Sequence, residues 1–343
     1  MADEPAPAPT VSTPSGTADT QALAEATEIV AASAAGRLLL GSVGDVTTLS
    51  SAVGATLPRH SYGHFQKGVP TGEMITVNAS GLSWRTVANA APGSSLHNDM
   101  IRWARTIKAR GGSIQVAFGH EPETKTKRYL GTPEEYQAAY RKVVTTFRQQ
   151  GVKNVLWVFQ ATDWGYRANP TASNYAPRYY PGDAYIDIVG ADAYNWDVCG
   201  EGTGKNVSLS TVASGVLAFA KARQKKASLP EFAAHSSVDR SRWLHDGYAW
   251  LKANRAYFVS AFYFQHPPTN PSNADCRWSL SRASEYRALA GLVEDGWSLP
   301  DVRRSAVLDL EGRLRTTLPN QRRGACDLLS AASSGSSPGP CRR

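Results

Sequence analysis

Residues 114–160 read IQVAFGHEPETKTKRYLGTPEEYQAAYRKVVTTFRQQGVKNVLWVFQ, and their reading decides the fold. The stretch opens on a short apolar run, 114–119, and closes on another, 155–160, both rich in β-branched and aromatic residues. Between them Thr132-Pro133-Glu134-Glu135 forms a capping box with proline at the first helical position, and Gly151 is a stop. A helix is therefore predicted over 132–150. Strand, long helix and strand in this order make a parallel pair with a helical crossover. Working outward, runs of the same kind predict strands at 38–43, 55–60, 74–79, 186–191, 228–232 and 258–265. Segments of helical period lie at 96–110, 209–224, 240–253 and 281–292. Eight strands with helices between them, over about 260 residues, predict an α/β chain folded as a (β/α)8 TIM barrel with a short C-terminal extension. The competing architecture is a doubly wound open sheet, but no GxGxxG turn follows the first strand.

The chain of 343 residues is 42% hydrophobic and 19% charged, enough apolar sequence for one large core. Three parts are expected: a flexible Ala/Pro/Thr segment over 1–34, a catalytic barrel over 35–298, and a basic extension over 299–343. The formal charge is +8, from 37 Lys+Arg against 29 Asp+Glu. Between Asp301 and Arg343 eight Arg face four acids, so half of the excess sits in the extension. What remains is too dispersed to suggest nucleic acid. No apolar run reaches the roughly 20 residues of a membrane helix, and no secretory leader is visible at the start. Cys199, Cys276, Cys326 and Cys341 lie in loop-like or tail sequence, without CxxC or a suitably spaced His, which disfavours a metal site. Two disulfides are expected, hence a secreted protein whose leader has been removed; free thiols in a cytosolic protein are the alternative. Cys199 and Cys276 follow the sixth and eighth strands and would meet on one face of the barrel, leaving Cys326 with Cys341, although three connectivities are open.

Chemistry concentrates at two strand ends. The fourth strand runs into Gly119-His120-Glu121-Pro122-Glu123, and the seventh carries a lone acid in Leu229-Pro230-Glu231-Phe232. In a barrel these carboxyls face each other across the mouth, where active sites form. Glycosidic cleavage needs such a pair, one carboxyl protonated and one ionised. Glu123 competes with Glu121 but follows a proline that turns the chain away. Asp163 and Asp192 also end strands and read as caps for loop amides. Trp84, Trp164, Trp196, Trp243 and Tyr263 could stack on sugar rings; Trp243 reads as core, whereas Trp164 and Trp196 follow strands at the mouth. His60, Tyr62 and His64 would line the far side of the cleft.

GHEPE, the helix and strand after it, YYPGDAYIDIVGADAYNW, LPEFA and VSAFYFQ together resemble glycoside hydrolase family 26, the family that includes β-mannanases. The resemblance covers roughly 38–292 and is strongest over 114–196. It implies that Glu121 is the general acid/base and Glu231 the nucleophile of a retaining hydrolase, and the open loops and several aromatics suggest an endo-acting enzyme with a polysaccharide as partner. It further implies that His120 contacts the sugar on the non-reducing side, that Tyr194 hydrogen-bonds the nucleophile, and that no metal or organic cofactor takes part. The sequence departs from the family where Met-Asn usually follows His-Glu, here Pro122-Glu123. An expected Arg is replaced by Ala117, and Tyr263 stands for the eighth-strand Trp. These changes touch the choice of mannan, xylan, glucan or a microbial wall glycan more than hydrolysis. A non-catalytic carbohydrate-binding barrel, a transglycosylase and a lyase are the alternatives. A monomer without membrane insertion is expected.

Overall fold

The computed structural model describes residues 37–200, 202–266 and 275–298. The expected segments at 1–34 and 299–343, with Cys326 and Cys341, lie outside the described residues. Eight parallel strands close a barrel in chain order: β1 (Leu39–Gly44), β2 (Arg59–His64), β3 (Met74–Asn78), β4 (Ile114–Phe118), β5 (Val155–Thr162), β6 (Ile188–Asn195), β7 (Lys226–Ala234) and β8 (Phe258–Gln265). Closure is made by β1 against β8, in register from Leu39↔Ser260 to Gly44↔Gln265. The (β/α)8 expectation is met. Around it run α1 (Val46–Val53), α2 (Trp84–Ala88), α3 (Ser95–Ala109), α4 (Pro133–Gln149), α5 (Asp163–Arg167), α6 (Leu209–Val212), α7 (Ser214–Arg223), α8 (Arg240–Ala253) and α9 (Ala283–Glu294). The predicted capping box is present at α4: Thr132 Oγ1 accepts from Glu135 N and Glu135 accepts from Thr132 N.

β6 and β7 run on to Asn195 and Ala234, past the expected 191 and 232, and two further departures from the sequence expectation have a local cause. The second strand starts at Arg59 rather than residue 55, because Pro58 has no N–H for a central ladder; its carbonyl instead accepts from Ser42 N at 2.9 Å. The helix expected over 209–224 breaks at Ala213, where ψ is near zero, into α6 and α7. Between β2 and β3 the chain crosses in residues 65–73 without a helix. Helix α3 staples this short crossover: Arg102 donates to the carbonyls of Phe65 and Lys67, and Trp103 Nε1 to that of Lys67.

Apart from β2 (RHSYGH), the strands are largely buried on both faces, which is why they read as apolar runs. Leu39, Met74, Ala117, Val158, Ile188, Val259 and Phe262 plug the barrel interior, while the larger core lies between strands and helices. Side chains alternate along each strand, so inward positions beyond the plug are Thr76 after Met74, Gln160 after Val158, and Asp192 and Tyr194 after Ile188. Toward the C-terminal ends the interior thus turns from apolar to polar, and the site is built there.

Cys199, after β6, and Cys276, after β8, form a disulfide across 77 residues, as the sequence suggested for this pair. A loop of that length gives a cross-link worth about 2–4 kcal/mol. Reduction, or Cys276→Ala, is therefore expected to lower the melting midpoint by about 5–10 °C. Calorimetry with and without reductant checks this, and an unchanged midpoint counts against a bridge in solution.

Candidate active site

Glu121 and Glu231 are brought together at the mouth. Gly119 (φ +59) and Glu121 itself (φ +48) take the left-handed backbone region. For a non-glycine residue that conformation is unfavourable and marks functional sites. It ends β4 abruptly, and Glu121 N is anchored on the Gln160 carbonyl at 2.9 Å. Glu231 is positioned by a break in the opposite wall. Pro230 cannot donate to the ladder, and the register shifts between Gly190 and Asp192 on β6 and between Leu229 and Phe232 against β8. Such bulges re-aim a side chain. Gly190 makes room for it, since a Cβ there would lie 2.7 Å from Pro230 Cγ.

The two carboxyls have different surroundings. Tyr62 donates to Glu231 Oε1 and Tyr194 to Oε2. Burial raises the Glu231 pKa, while these two phenols pull it back by stabilising the ionised form. Glu121 has no such donors: burial first, and then the Glu231 charge, push it up to about 8. Half-buried Lys127, on the 3-10 turn Lys125–Leu130, draws both down. The environments thus differ in the direction that favours a proton on Glu121 over one on Glu231.

His120 packs edge-on against Tyr62 at 5.1 Å, and burial holds it neutral, well below the usual imidazole range. Its buried Nδ1 has no hydrogen-bond partner. Beside it an open cavity of about 550 Å³, lined among others by Asn78, Leu82, Lys127 and Tyr129, extends from the ends of β3 and β4. On the other side Tyr194, Trp196 and Trp278 form an aromatic wall, with centroids 4.9 Å apart for Tyr194–Trp278 and 5.2 Å for Trp196–Trp278. The Cys199–Cys276 bridge lies within three residues of both tryptophans.

Several expected residues fall elsewhere. Tyr263 is fully buried on the outer face of β8, its ring edge-on to Phe232 and its hydroxyl on the Trp278 carbonyl. It cannot floor the cleft; the inward aromatic is its neighbour Phe264, 5.7 Å from Tyr194. His60 is only 2% exposed and both ring nitrogens are engaged, so it lies beneath Tyr62 and out of reach of a sugar. Tyr62 is 37% exposed and does face the cleft. Trp164 is half-buried in the first turn of α5, and His64 bonds Gln66 at 3.1 Å. Trp84 and Trp243 are core. Glu123 is wholly buried, accepting from Thr162 N at 2.7 Å and Thr162 Oγ1 at 2.6 Å, which removes it from competition for the acid role. Asp163 pairs with Arg167.

Asp192 is not a loop cap. It is paired with Glu231 across β6 and β7 and lies 2.9 and 3.0 Å from the Gln160 carboxamide. Gln160, Trp278, Phe264 and Lys127 were not singled out from sequence. Gln160 carried a usable signal, the inward phase of Leu156 and Val158; Trp278 carried none beyond its closeness to Cys276.

Known proteins share parts of this chain's sequence and its fold. The profile of Glycosyl hydrolase family 26 matches residues 83–241. Endoglucanase H of Acetivibrio thermocellus is 26% identical over 197 residues, 55% of this chain; the chain spans about a fifth (21%) of that relative's length. A β-mannanase of that family from Bacteroides ovatus superposes with a TM-score of 0.52 at 17% identity, covering 83% of this chain and 95% of that one. The catalytic domain of the Bacillus sp. JAMB-750 endo-β-1,4-mannanase gives 0.54 at 18%, covering 82% and 91%. The modular endo-β-1,4-mannanase from Cellulomonas fimi gives 0.53 at 17%, covering 83% and 76%. At such identities the structures speak for the fold alone, and it is the profile and the curated relative that carry the family signal. By profile and by its curated relative this chain is similar to glycoside hydrolase family 26, and it shares the (β/α)8 fold of that family's solved members.

Proposed function

We propose that this protein is a retaining glycosidase that cuts within a β-linked polysaccharide, with Glu231 as nucleophile and Glu121 as general acid/base. The observation that carries the reading is the unequal pair: half-buried Glu121 pushed up to about 8 with no phenol on it, and buried Glu231 held by two phenols. Glu231 attacks the anomeric carbon as Glu121 protonates the departing oxygen. Glu121, now ionised, takes a proton from water, which attacks the same carbon and releases Glu231. His120 and Tyr62 face the sugar from the β2 and β4 side, and half-buried Trp196, backed by buried Trp278, supplies a stacking face opposite. A cleft open toward the cavity beside Lys127 suits an internal segment of a chain, and the Cys199–Cys276 disulfide suits an exported enzyme.

The test is release of reducing ends by wild type and Glu231→Gln from a panel of mannans, xylans, mixed-linkage glucans and microbial wall glycans, with products sized by mass spectrometry. Oligosaccharides from wild type alone support the reading. Saturable binding without release from any glycan overturns it in favour of a carbohydrate-binding barrel.

The pH profile follows from the two carboxyls. Glu121 must keep its proton, so kcat/KM is expected to fall as pH rises through about 8. Glu231 must lose its proton, so the acid limb lies above the ordinary glutamate value of 4.5; both limbs belong to the coupled pair. Tyr194→Phe removes a donor to the ionised form and is expected to move the acid limb upward. A limb unmoved by this change argues against Glu231 as the titrating base.

A further inference from the structure

A chain of buried hydrogen bonds runs through the barrel beneath the two glutamates. His60 Nδ1 is 2.9 Å from the Pro230 carbonyl, and Nε2 is 2.9 Å from Thr76 Oγ1. Thr76 Oγ1 is 2.6 Å from Gln160 Oε1, and Gln160 Nε2 is 2.9 and 3.0 Å from the two oxygens of Asp192; because the O and NH2 of a carboxamide have the same shape, their assignment follows from the hydrogen-bond network and not from position. The chain begins on the residue before Glu231 and ends on the residue paired with it.

The hydrogens on this chain can be counted. A carbonyl only accepts, so His60 Nδ1 carries a hydrogen. A threonine hydroxyl has one hydrogen to give, and a carboxamide donates at one end and accepts at the other. If Gln160 turns its NH2 to Asp192, Thr76 donates to the Gln160 oxygen, and His60 Nε2 must donate as well. His60 is then an imidazolium and Asp192 a carboxylate. If Gln160 is turned the other way, its NH2 donates to Thr76, Thr76 donates to Nε2, and only Asp192 itself can supply a hydrogen to the Gln160 oxygen. Both arrangements hold the same number of protons and no net charge. They differ in that the first buries two separated charges and the second buries none.

Burial decides between them. His60 and Asp192 are 2% and 1% exposed, and isolated charges at such depth are costly. The groups whose charge or hydroxyl faces Asp192 are Glu231 on β7, Glu121 and Glu123 after β4, Tyr62 on β2, Tyr166 on α5 and Tyr194 on β6. All are acids or phenols, and none offers a cation. The first arrangement also gives Tyr62 a long 3.3 Å bond from Gln160, little against two buried charges. Burial lifts Asp192 well above the usual carboxyl range and lowers His60 to about 4, in agreement with the uncharged form.

We propose that Asp192 is a neutral carboxylic acid in the resting site, donating its proton to Gln160 at the head of a Gln160–Thr76–His60 relay, and that its neutrality leaves Glu231 alone to carry the negative charge. Asp192 is then a positioning residue: it touches no substrate and acts through Glu231. An ionised Asp192 would set a second negative charge beside the nucleophile and raise its pKa. The kinetic part of this inference rests on the proposed role of Glu231; the spectroscopic part does not.

Asp192→Asn replaces the donating O–H with an N–H of the same reach. It is expected to keep kcat/KM within about fivefold of wild type near pH 6, whereas Asp192→Ala loses it. The infrared difference between wild type and Asp192→Asn should show the loss of a protonated-carboxyl C=O band. Loss of a carboxylate band instead, or a fall in kcat/KM of more than about a hundredfold in folded Asp192→Asn, overturns the proposal. Should Asp192→Asn not fold, nitrogen NMR of ¹⁵N-histidine wild type, with His60 assigned through His60→Gln, decides it. A neutral Nδ1–H tautomer supports the proposal, and an imidazolium near pH 6 defeats it. Failure of the glycosidase reading shows separately, as Glu231→Gln retaining turnover.

Discussion

Glu231→Gln is expected to fold normally and to lose turnover by about 10⁴-fold or more, because no other group near the anomeric carbon can form the glycosyl-enzyme. The amide keeps the shape of the carboxyl and removes a buried charge, so the melting midpoint should not fall. Glu121→Gln is expected to cost less, about 10²–10⁴-fold, the usual contribution of a general acid. Its deficit should depend on the leaving group. An aryl glycoside with an acidic phenol needs no proton to depart, so cleavage to the glycosyl-enzyme should be nearly restored, while a polysaccharide remains uncut. For wild type, the first product seen by proton NMR should have the anomeric configuration of the substrate. Near-normal rates in either variant would remove that residue from the mechanism, and an inverted first product would remove double displacement.

Arg240→Met should destabilise the fold by about 3–5 kcal/mol, the cost of leaving a buried charge without its partner. Arg240 is 1% exposed and bonds Glu285 through two contacts, Nε to Oε1 at 2.9 Å and Nη2 to Oε2 at 2.8 Å. Its remaining nitrogen donates to the carbonyls of Arg277, Trp278 and Ser279 at 3.0, 3.2 and 3.0 Å. One guanidinium therefore joins α8 to α9 and holds the backbone that carries Trp278 against Tyr194 and Trp196. Glu285 also accepts from Ser281 N and Arg282 N at the start of α9. Arg240 and these amides hold its pKa below the ordinary value in spite of burial. This contribution is thus complete above the unfolded value of 4.5 and fades as pH falls below it. The double variant Arg240→Met, Glu285→Met should recover most of the loss, since a buried pair replaced by apolar groups is often neutral. Denaturant unfolding of the four proteins measures the coupling, and equal losses in single and double variants would contradict it.

The outer architecture was legible from residues. Val155–Gln160 and Ile114–Gly119 must be apolar because a parallel strand in a barrel is covered on both faces, and Thr132–Glu135 marks a helix start through local bonds alone. Glu121 and Glu231 stood out for the same reason: an acid at the end of an apolar run is conspicuous. Misreadings came where one residue of phase matters. Tyr263 and Phe264 are adjacent, both aromatic, and point to opposite faces of β8. Sequence offers no means of choosing between them when the register of β7 against β8 shifts at Pro230. His60 and Asp192 failed in a related way, since whether a polar group at a strand end meets solvent or a partner depends on strands far away in the chain.

What the sequence by itself determined is the order and number of the strands, the helices between them and the two acids at opposite ends of the mouth, because each follows from apolar period and local capping. Which acid keeps its proton was decided only by the tertiary structure. Glu231 is held by a tyrosine 169 residues away and another 37 residues away, Glu121 by burial and the charge opposite, and Asp192 by a relay drawn from four strands. A pKa is set by what surrounds a group in three dimensions, and the barrel's closure is what assembles those surroundings.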